Sequence, residues 1–305
     1  VIEYGDGALW LDNGLLRLGL VPSLGGRLLS LSTPDSGELL WRNEELLTDD
    51  LVLRREHRPH GGTLGDWVNY GGDKTWPAPQ GWEREDQWAG PPDPVLDSGA
   101  YTAEVQDGAD TAVVTLTSGD DPRTGLRLSR RFELTRGRCG YRLTLTGTNT
   151  SARTVRWALW NVTQLAADGP GGTDVAGPPE VTELLAGTGF PRWRPTAGGV
   201  HVPHQDVVGK LGFPAATGRW SHTGNGSTLT QSFAVDPAAA YPDSGSRVEV
   251  WMEYPLPAPL AGLGDLDPPA RIVECEVLGP LTTLAPGERM TLTIDCEVTA
   301  GEGEG

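Results

Sequence analysis

Apolar and polar residues alternate with period two over much of the chain, the pattern of antiparallel strands with one buried face. The alternation predicts strands over 101–106, 111–117, 126–134, 141–149, 153–163, 227–235, 247–254, 271–278 and 289–298. Turns rich in Gly, Asp and Pro separate them, as in Ser118-Gly-Asp-Asp-Pro122 and Ala285-Pro-Gly-Glu288. Helical periodicity is scarce. The best candidate is 44–56, where Leu46, Leu47, Leu51 and Leu53 fit one helix face loosely, and a short helix is predicted after Pro178-Pro179. The class is therefore all-β. Two stretches, 58–99 and 169–226, resist strand assignment, and long irregular segments inside β domains are usually functional loops.

No composition break or repeat divides the chain, so one domain over 1–299 is expected, followed by a flexible tail over 300–305. The formal charge of −17 makes the surface repel phosphate backbones and anionic bilayers. Neither nucleic acid nor membrane is expected as a partner. No apolar run of about 18 residues appears, and a soluble protein is expected. The sequence opens at Val1 without a methionine, which leaves cytoplasmic and exported locations open. Cys139, Cys275 and Cys296 sit among apolar neighbours in predicted strands and read as buried thiols rather than a disulfide framework.

The candidate chemistry begins with tryptophan. Its eleven copies outnumber phenylalanine and tyrosine together, and Trp67, Trp76, Trp82 and Trp88 crowd one loop-like segment. An indole can stack on the C–H face of a sugar while its N–H meets a hydroxyl, although most tryptophans are core residues. The run Asn69-Tyr-Gly-Gly-Asp-Lys-Thr-Trp-Pro-Ala-Pro-Gln80 packs glycines, an acid, a base, aromatics and amides together, so that Asp73 and Lys74 can be aimed into a pocket. Lys74 is one of only two lysines, the other being Lys210, against 22 arginines. Glu274 and Glu276 share one face of a predicted strand, and Glu249, Trp251 and Glu253 share a face of another. A carboxylate beside an aromatic in a cleft can serve as a proton acceptor, whereas alternating Glu is more often a solvated face. His201 and His204, three apart in an extended segment, point to opposite sides, so no metal site is expected. The basic stretch 54–60 is a weaker candidate for an anionic ligand such as a sugar phosphate. Without a P-loop, a dinucleotide fingerprint or a GxSxG elbow, no cofactor is expected.

The run at 69–80, with Pro91-Pro-Asp-Pro-Val-Leu-Asp-Ser-Gly99, Asp121-Pro-Arg-Thr-Gly125, Trp157-Ala-Leu-Trp-Asn-Val-Thr-Gln164 and Glu274-Cys-Glu-Val-Leu-Gly-Pro280, resembles an uncharacterised bacterial family related to the galactose mutarotases (aldose 1-epimerases). The resemblance runs in order from about Gly25 to about Val298. It implies an antiparallel β-supersandwich whose concave face holds a small-molecule or oligomeric carbohydrate. In aldose 1-epimerases a glutamate takes the proton of the anomeric hydroxyl and a histidine protonates the ring oxygen. Glu274 or Glu276 matches the base. The segment that carries the acid reads Asn161-Val-Thr-Gln164 here, and a neutral Gln164 cannot donate as imidazolium does. Lys74, Asp73 and the loop histidines are the remaining acids. The implied sugar contacts are Arg27, Asn69, Trp76, Gln80, Trp160, Gln164, Lys210 and Trp251. The resemblance is also compatible with a non-catalytic carbohydrate-binding protein, or with a polysaccharide lyase or glycoside hydrolase on the same sandwich.

Overall fold

In the computed structural model, which describes residues 2–300 apart from Asp6, His57, Trp82, Glu83 and Glu85, the alternating segments pair into two large antiparallel sheets. The first runs in the order Ile2–Tyr4, Leu9–Asp12, Arg17–Val21, Arg27–Thr33, Asp73–Ala78, Val155–Ala166, Ile272–Leu278, Val248–Glu253, Gly209–Phe213, Thr182–Ala186. The second runs Arg194–Thr196, Gly199–Pro203, Gly172–Ala176, Arg219–Gly224, Ser227–Phe233, Arg289–Ala300, Gly140–Asn149, Leu126–Thr135, Thr111–Thr117, Thr102–Asp107. One hydrophobic cluster, from Leu11 and Leu28 through Trp157 to Val250, Val277 and Ile294, fills the space between them. Among the described residues, helix is confined to single turns at Leu64–Asp66, Pro242–Gly245 and Ala261–Leu263. The fold is an all-β antiparallel sandwich, the architecture that the alternation and the resemblance led us to expect.

Burial differs between the two sheets in a way that locates the site. Leu126–Thr135 and Arg289–Ala300 alternate buried and partly or fully exposed positions, because their outer faces meet water. Asp73–Ala78, Val248–Glu253 and Ile272–Leu278 are buried at every position. Their inner faces pack on the second sheet, and their outer faces lie under loops. Those outer faces carry Lys74, Trp76, Glu249, Trp251, Glu253, Glu274 and Glu276.

Several expectations are corrected. Residues 44–56 form turns closed by a Leu47–Leu53 bridge, with Leu51 at φ 62°, so the spaced leucines sit on two arms of a loop rather than on a helix. The segment after Pro178-Pro179 continues as the strand Thr182–Ala186. The stretch 58–99 contains the central strand Asp73–Ala78, and 169–226 contains six short strands. Ala300 ends a strand rather than opening a tail, and 301–305 lie outside the described residues. Cys275 and Cys296 are buried thiols, but Cys139 is partly exposed. No helix among the described residues is long and apolar enough to cross a membrane.

Candidate functional site

The central strand begins after Gly71 and Gly72, at φ 88° and 76°. A Cβ on Gly72 would lie 2.3 Å from the Leu28 carbonyl oxygen, so only glycine brings the chain this close to its neighbour. From there the alternation sends Asp73 and Thr75 inward and Lys74 and Trp76 outward. Asp73 is wholly buried between the sheets, ion-paired with Arg130 and accepting from Asn161 Nδ2 at 2.7 Å and Thr163 Oγ1 at 2.6 Å. It holds the sandwich together and does not reach the outer face.

On the outer face a cleft of about 510 Å³ opens among Trp67, Trp76, Trp160, Trp251, Glu253 and Glu274. Leu64, Leu263 and Leu266 form an apolar rim, and Thr63, Gln80 and Lys210 add to the polar lining. The Trp76 ring centroid lies 5.9 Å from that of Trp67 and 5.2 Å from that of Trp160, both edge-on, so the walls brace each other. Asp97 fixes two of them, accepting the indole N–H of Trp76 at 3.2 Å and of Trp67 at 3.1 Å. Arg27, fully buried, pairs with the same carboxylate at 2.5 Å and so supports the walls from behind without lining the cleft. Trp88 packs beneath Trp76 with its N–H on Asp93, as a core residue. Trp82 lies outside the described residues.

Registers on either side of Ile272–Leu278 sort the carboxylates. Gln164 stands opposite Glu274 on one side and Trp251 on the other. Glu274 accepts from Gln164 Nε2 at 2.6 Å and from Lys74 Nζ at 3.2 Å. Lys74 is buried over the faces of Trp76 and Trp67, at 4.9 and 5.6 Å, and burial pushes its ammonium below the ordinary range against the pull of Glu274. Glu276, two residues on, is sealed below the cleft by Trp160 Nε1 at 2.5 Å and Lys210 Nζ at 2.8 Å. Lys210 also donates to Glu249 at 2.7 Å and lies 4.5 Å from the Trp160 ring. Burial acts to lower the Lys210 pKa, but the two carboxylates together hold it above its ordinary value. Burial pushes Glu249 well above the usual carboxylate range and raises Glu276, with Lys210 opposing in both. Among the described residues Glu253 accepts only the Trp251 indole N–H, at 3.1 Å, and burial, with the nearby Glu274 charge, pushes it up to about 8.

Of the residues singled out in the sequence, the structure brings Glu274, Trp76, Gln80, Trp160, Lys210 and Trp251 to the cleft. Lys74 and Gln164 lie directly beneath it, bonded to Glu274. Asn69 stays outside, its Oδ1 accepting the Gly71 N–H at 3.1 Å to shape the turn into the strand. No histidine is among the lining residues described: His201 pairs with Asp174, and His204 stacks on His222. Nor does the basic stretch line it, since Arg54 is bonded to the carbonyls of Glu44 and Leu47, and Arg58 to Glu56. His57 lies outside the described residues. The rim leucines carry no signal in the sequence beyond their apolar character, because Leu64 and the pair Leu263 and Leu266 come from loops far apart in the chain. Among the described residues no group of three His, Cys, Asp or Glu is placed to hold a metal.

Comparison with known proteins agrees with the fold. The family model described as a domain of unknown function (DUF4380) matches residues 7–182. No curated protein sequence matches. Two galactose mutarotase-like proteins superpose over nearly the full length of both chains. That from Lactobacillus casei has 14% identity, covers 96% of this chain and 100% of its own, and gives a TM-score of 0.56. That from Clostridium acetobutylicum has 10% identity, coverage of 96% and 95%, and a TM-score of 0.59. A TPR-domain containing protein from Parabacteroides distasonis matches 96% of this chain at 15% identity and a TM-score of 0.65, but only 47% of its own length, so the present chain spans about half of it. At these identities the likeness is one of fold.

Proposed function

The chain belongs to the DUF4380 family, and from that premise we propose that its cleft binds a carbohydrate and interconverts the anomers of an aldose by acid/base catalysis without a cofactor. The observation that carries this reading is the carboxylate of Glu274 at the floor of a four-tryptophan cleft. The indoles offer flat apolar walls for the C–H faces of a pyranose, and the polar floor meets its hydroxyls. Glu274 is favoured over Glu276 as the base. Two donors, Gln164 and Lys74, hold Glu274 in place while it lines the cleft, whereas Glu276 is closed off under Trp160 and Lys210. A carboxylate so held is positioned to take the proton of an anomeric hydroxyl, a role worth about 10²–10⁴ in rate.

The test is saturation transfer between α and β anomeric protons by NMR across a panel of aldoses. Protein-dependent exchange is expected for at least one neutral aldose, with a fall of about 10²–10⁴ in Glu274→Gln. Retention of the full rate in that variant would remove the mechanism. A second reading, binding without turnover, is favoured by the absence of histidine from the described lining, and line broadening without exchange would select it.

A further inference from the structure

Four carboxyl groups project from two paired strands toward the cleft side of the sheet, and two ammonium groups meet them. Lys210 is engaged by Glu249 and Glu276, and Lys74 by Glu274. Glu253 pairs with neither. Its Oε2 accepts the Trp251 N–H, and its Oε1, buried in a residue only 4% exposed, has no hydrogen-bond partner among the described residues. Yet Glu253 lines the cleft. Because Trp251 stands opposite Glu274, Glu253 is the diagonal same-face neighbour of Glu274, roughly 7–8 Å away along the sheet.

We propose that Glu253 is the general acid of the cleft, protonating the sugar ring oxygen while Glu274 deprotonates the anomeric hydroxyl. The assignment rests on the anomer-exchange reading given above. Two neighbouring carboxyls in an apolar enclosure do not both ionise readily, and the one with fewer donors keeps its proton. Glu274 has an ammonium and an amide; Glu253 has one indole. The charged groups facing Glu253 are Glu274, which opposes its ionisation, and Lys74, whose weaker effect favours it. Its carboxyl therefore remains largely protonated at pH 7.

The step balances. Glu274 takes the proton from O1, the O1–H electron pair becomes the second bond of the C1 carbonyl, the C1–O5 bond breaks, and O5 receives the proton of Glu253. After the C1–C2 bond rotates, Glu253 takes the proton back from O5, O5 attacks the other face of C1, and Glu274 returns its proton to O1. Neither residue is consumed, and no oxidant or reductant enters.

Three measurements test this. In the wild type, the rate of anomeric exchange should fall on the alkaline side with a midpoint near pH 8. Glu253→Gln should lower kcat by about 10²–10⁴ with KM little changed and should lose that alkaline limb. Wild-type protein labelled with ¹³C at the glutamate carboxyls, with Glu253 assigned by difference, should show its resonance titrating near pH 8. If E253Q exchanges anomers within twofold of wild type while E274Q is inactive, Glu253 is not the acid and the reading of the cleft survives. If wild-type protein exchanges no aldose, both fall. Should E253Q fail to fold, Glu253→Asp supplies the difference spectrum and the wild-type titration decides: a midpoint in the ordinary carboxylate range overturns the proposal, and one near 8 supports it.

Discussion

Replacing Arg130 by methionine should cost the protein about 3–5 kcal/mol of stability, the usual penalty for breaking a buried ion pair from one side. Arg130 lies on the otherwise apolar inner face of Leu126–Thr135, between Leu128 and Phe132, and is fully buried. Its guanidinium reaches across to the other sheet, donating to the carbonyls of Gly26 at 2.7 Å and Asp73 at 2.9 Å and pairing with the Asp73 carboxylate. Methionine fills much of the same space with no donor. Asp73 then keeps Asn161 and Thr163 on one oxygen, while its other oxygen and two carbonyls lose their partner. The assay is equilibrium guanidinium unfolding followed by tryptophan fluorescence, with a thermal scan in which the Tm falls by roughly 6–10 °C, taking about 2 °C per kcal/mol for a chain of this size. The double variant R130M/D73N removes both charges and should recover at least about 1 kcal/mol relative to the sum of the single variants. A loss below about 1 kcal/mol in R130M, or strict additivity in the double variant, would refute the claim that this pair is the electrostatic tie between the sheets.

Acid should destabilise the protein partly through His222. Burial, and then the stacked His204, push its pKa down to about 3, so in the interval from about 6.5 to 3 the unfolded chain binds a proton that the folded one refuses, and stability falls as pH drops through that window. His222→Gln should flatten this part of the stability profile, and an unchanged acid slope would count against it. Gly72→Ala should lose roughly 2 kcal/mol or more, because it combines a left-handed backbone with a 2.3 Å approach to the Leu28 carbonyl oxygen; a variant with wild-type Tm would show that the turn relaxes. Phosphorylated aldoses should bind at least tenfold more weakly than their parent sugars in calorimetry. Lys210, the cation lining the cleft, is already held by two carboxylates, and equal affinity would mean that it is released to the ligand.

The fold was legible wherever one sheet face meets water. Gly140–Asn149 and Arg289–Ala300 announce themselves by strict alternation, because solvent selects polar residues on one side and the core selects apolar ones on the other. Asp73–Ala78 reads as a loop because two glycines precede it, Pro77 interrupts it, and its outward residues are a lysine and a tryptophan under loops rather than solvent-facing polar groups. At this strand burial on both faces leaves no period-two signal, whereas Val248–Glu253 and Ile272–Leu278, equally buried, keep it because glutamates occupy their outer face.

The same alternation placed Glu274 with Glu276, and Glu249 with Trp251 and Glu253, on common faces, yet it is blind to what each carboxyl meets. That depends on register between strands far apart in sequence: Lys210 stands opposite Trp251, which stands opposite Glu274, and from there its ammonium reaches Glu249 and Glu276. A slip of one residue in the Gly209–Phe213 strand would turn Lys210 to the inner face and leave two buried carboxyls without a cation. Lys74, brought in from the other side beyond Val155–Ala166, reaches Glu274 and stops short of Glu253. Four glutamates that look equivalent in the sequence thus become two that clamp a lysine, one carboxylate held by two donors, and one carboxyl held by a single indole. The scarcity of cations on this face, more than the abundance of acids, leaves one group able to give a proton beside another able to take it.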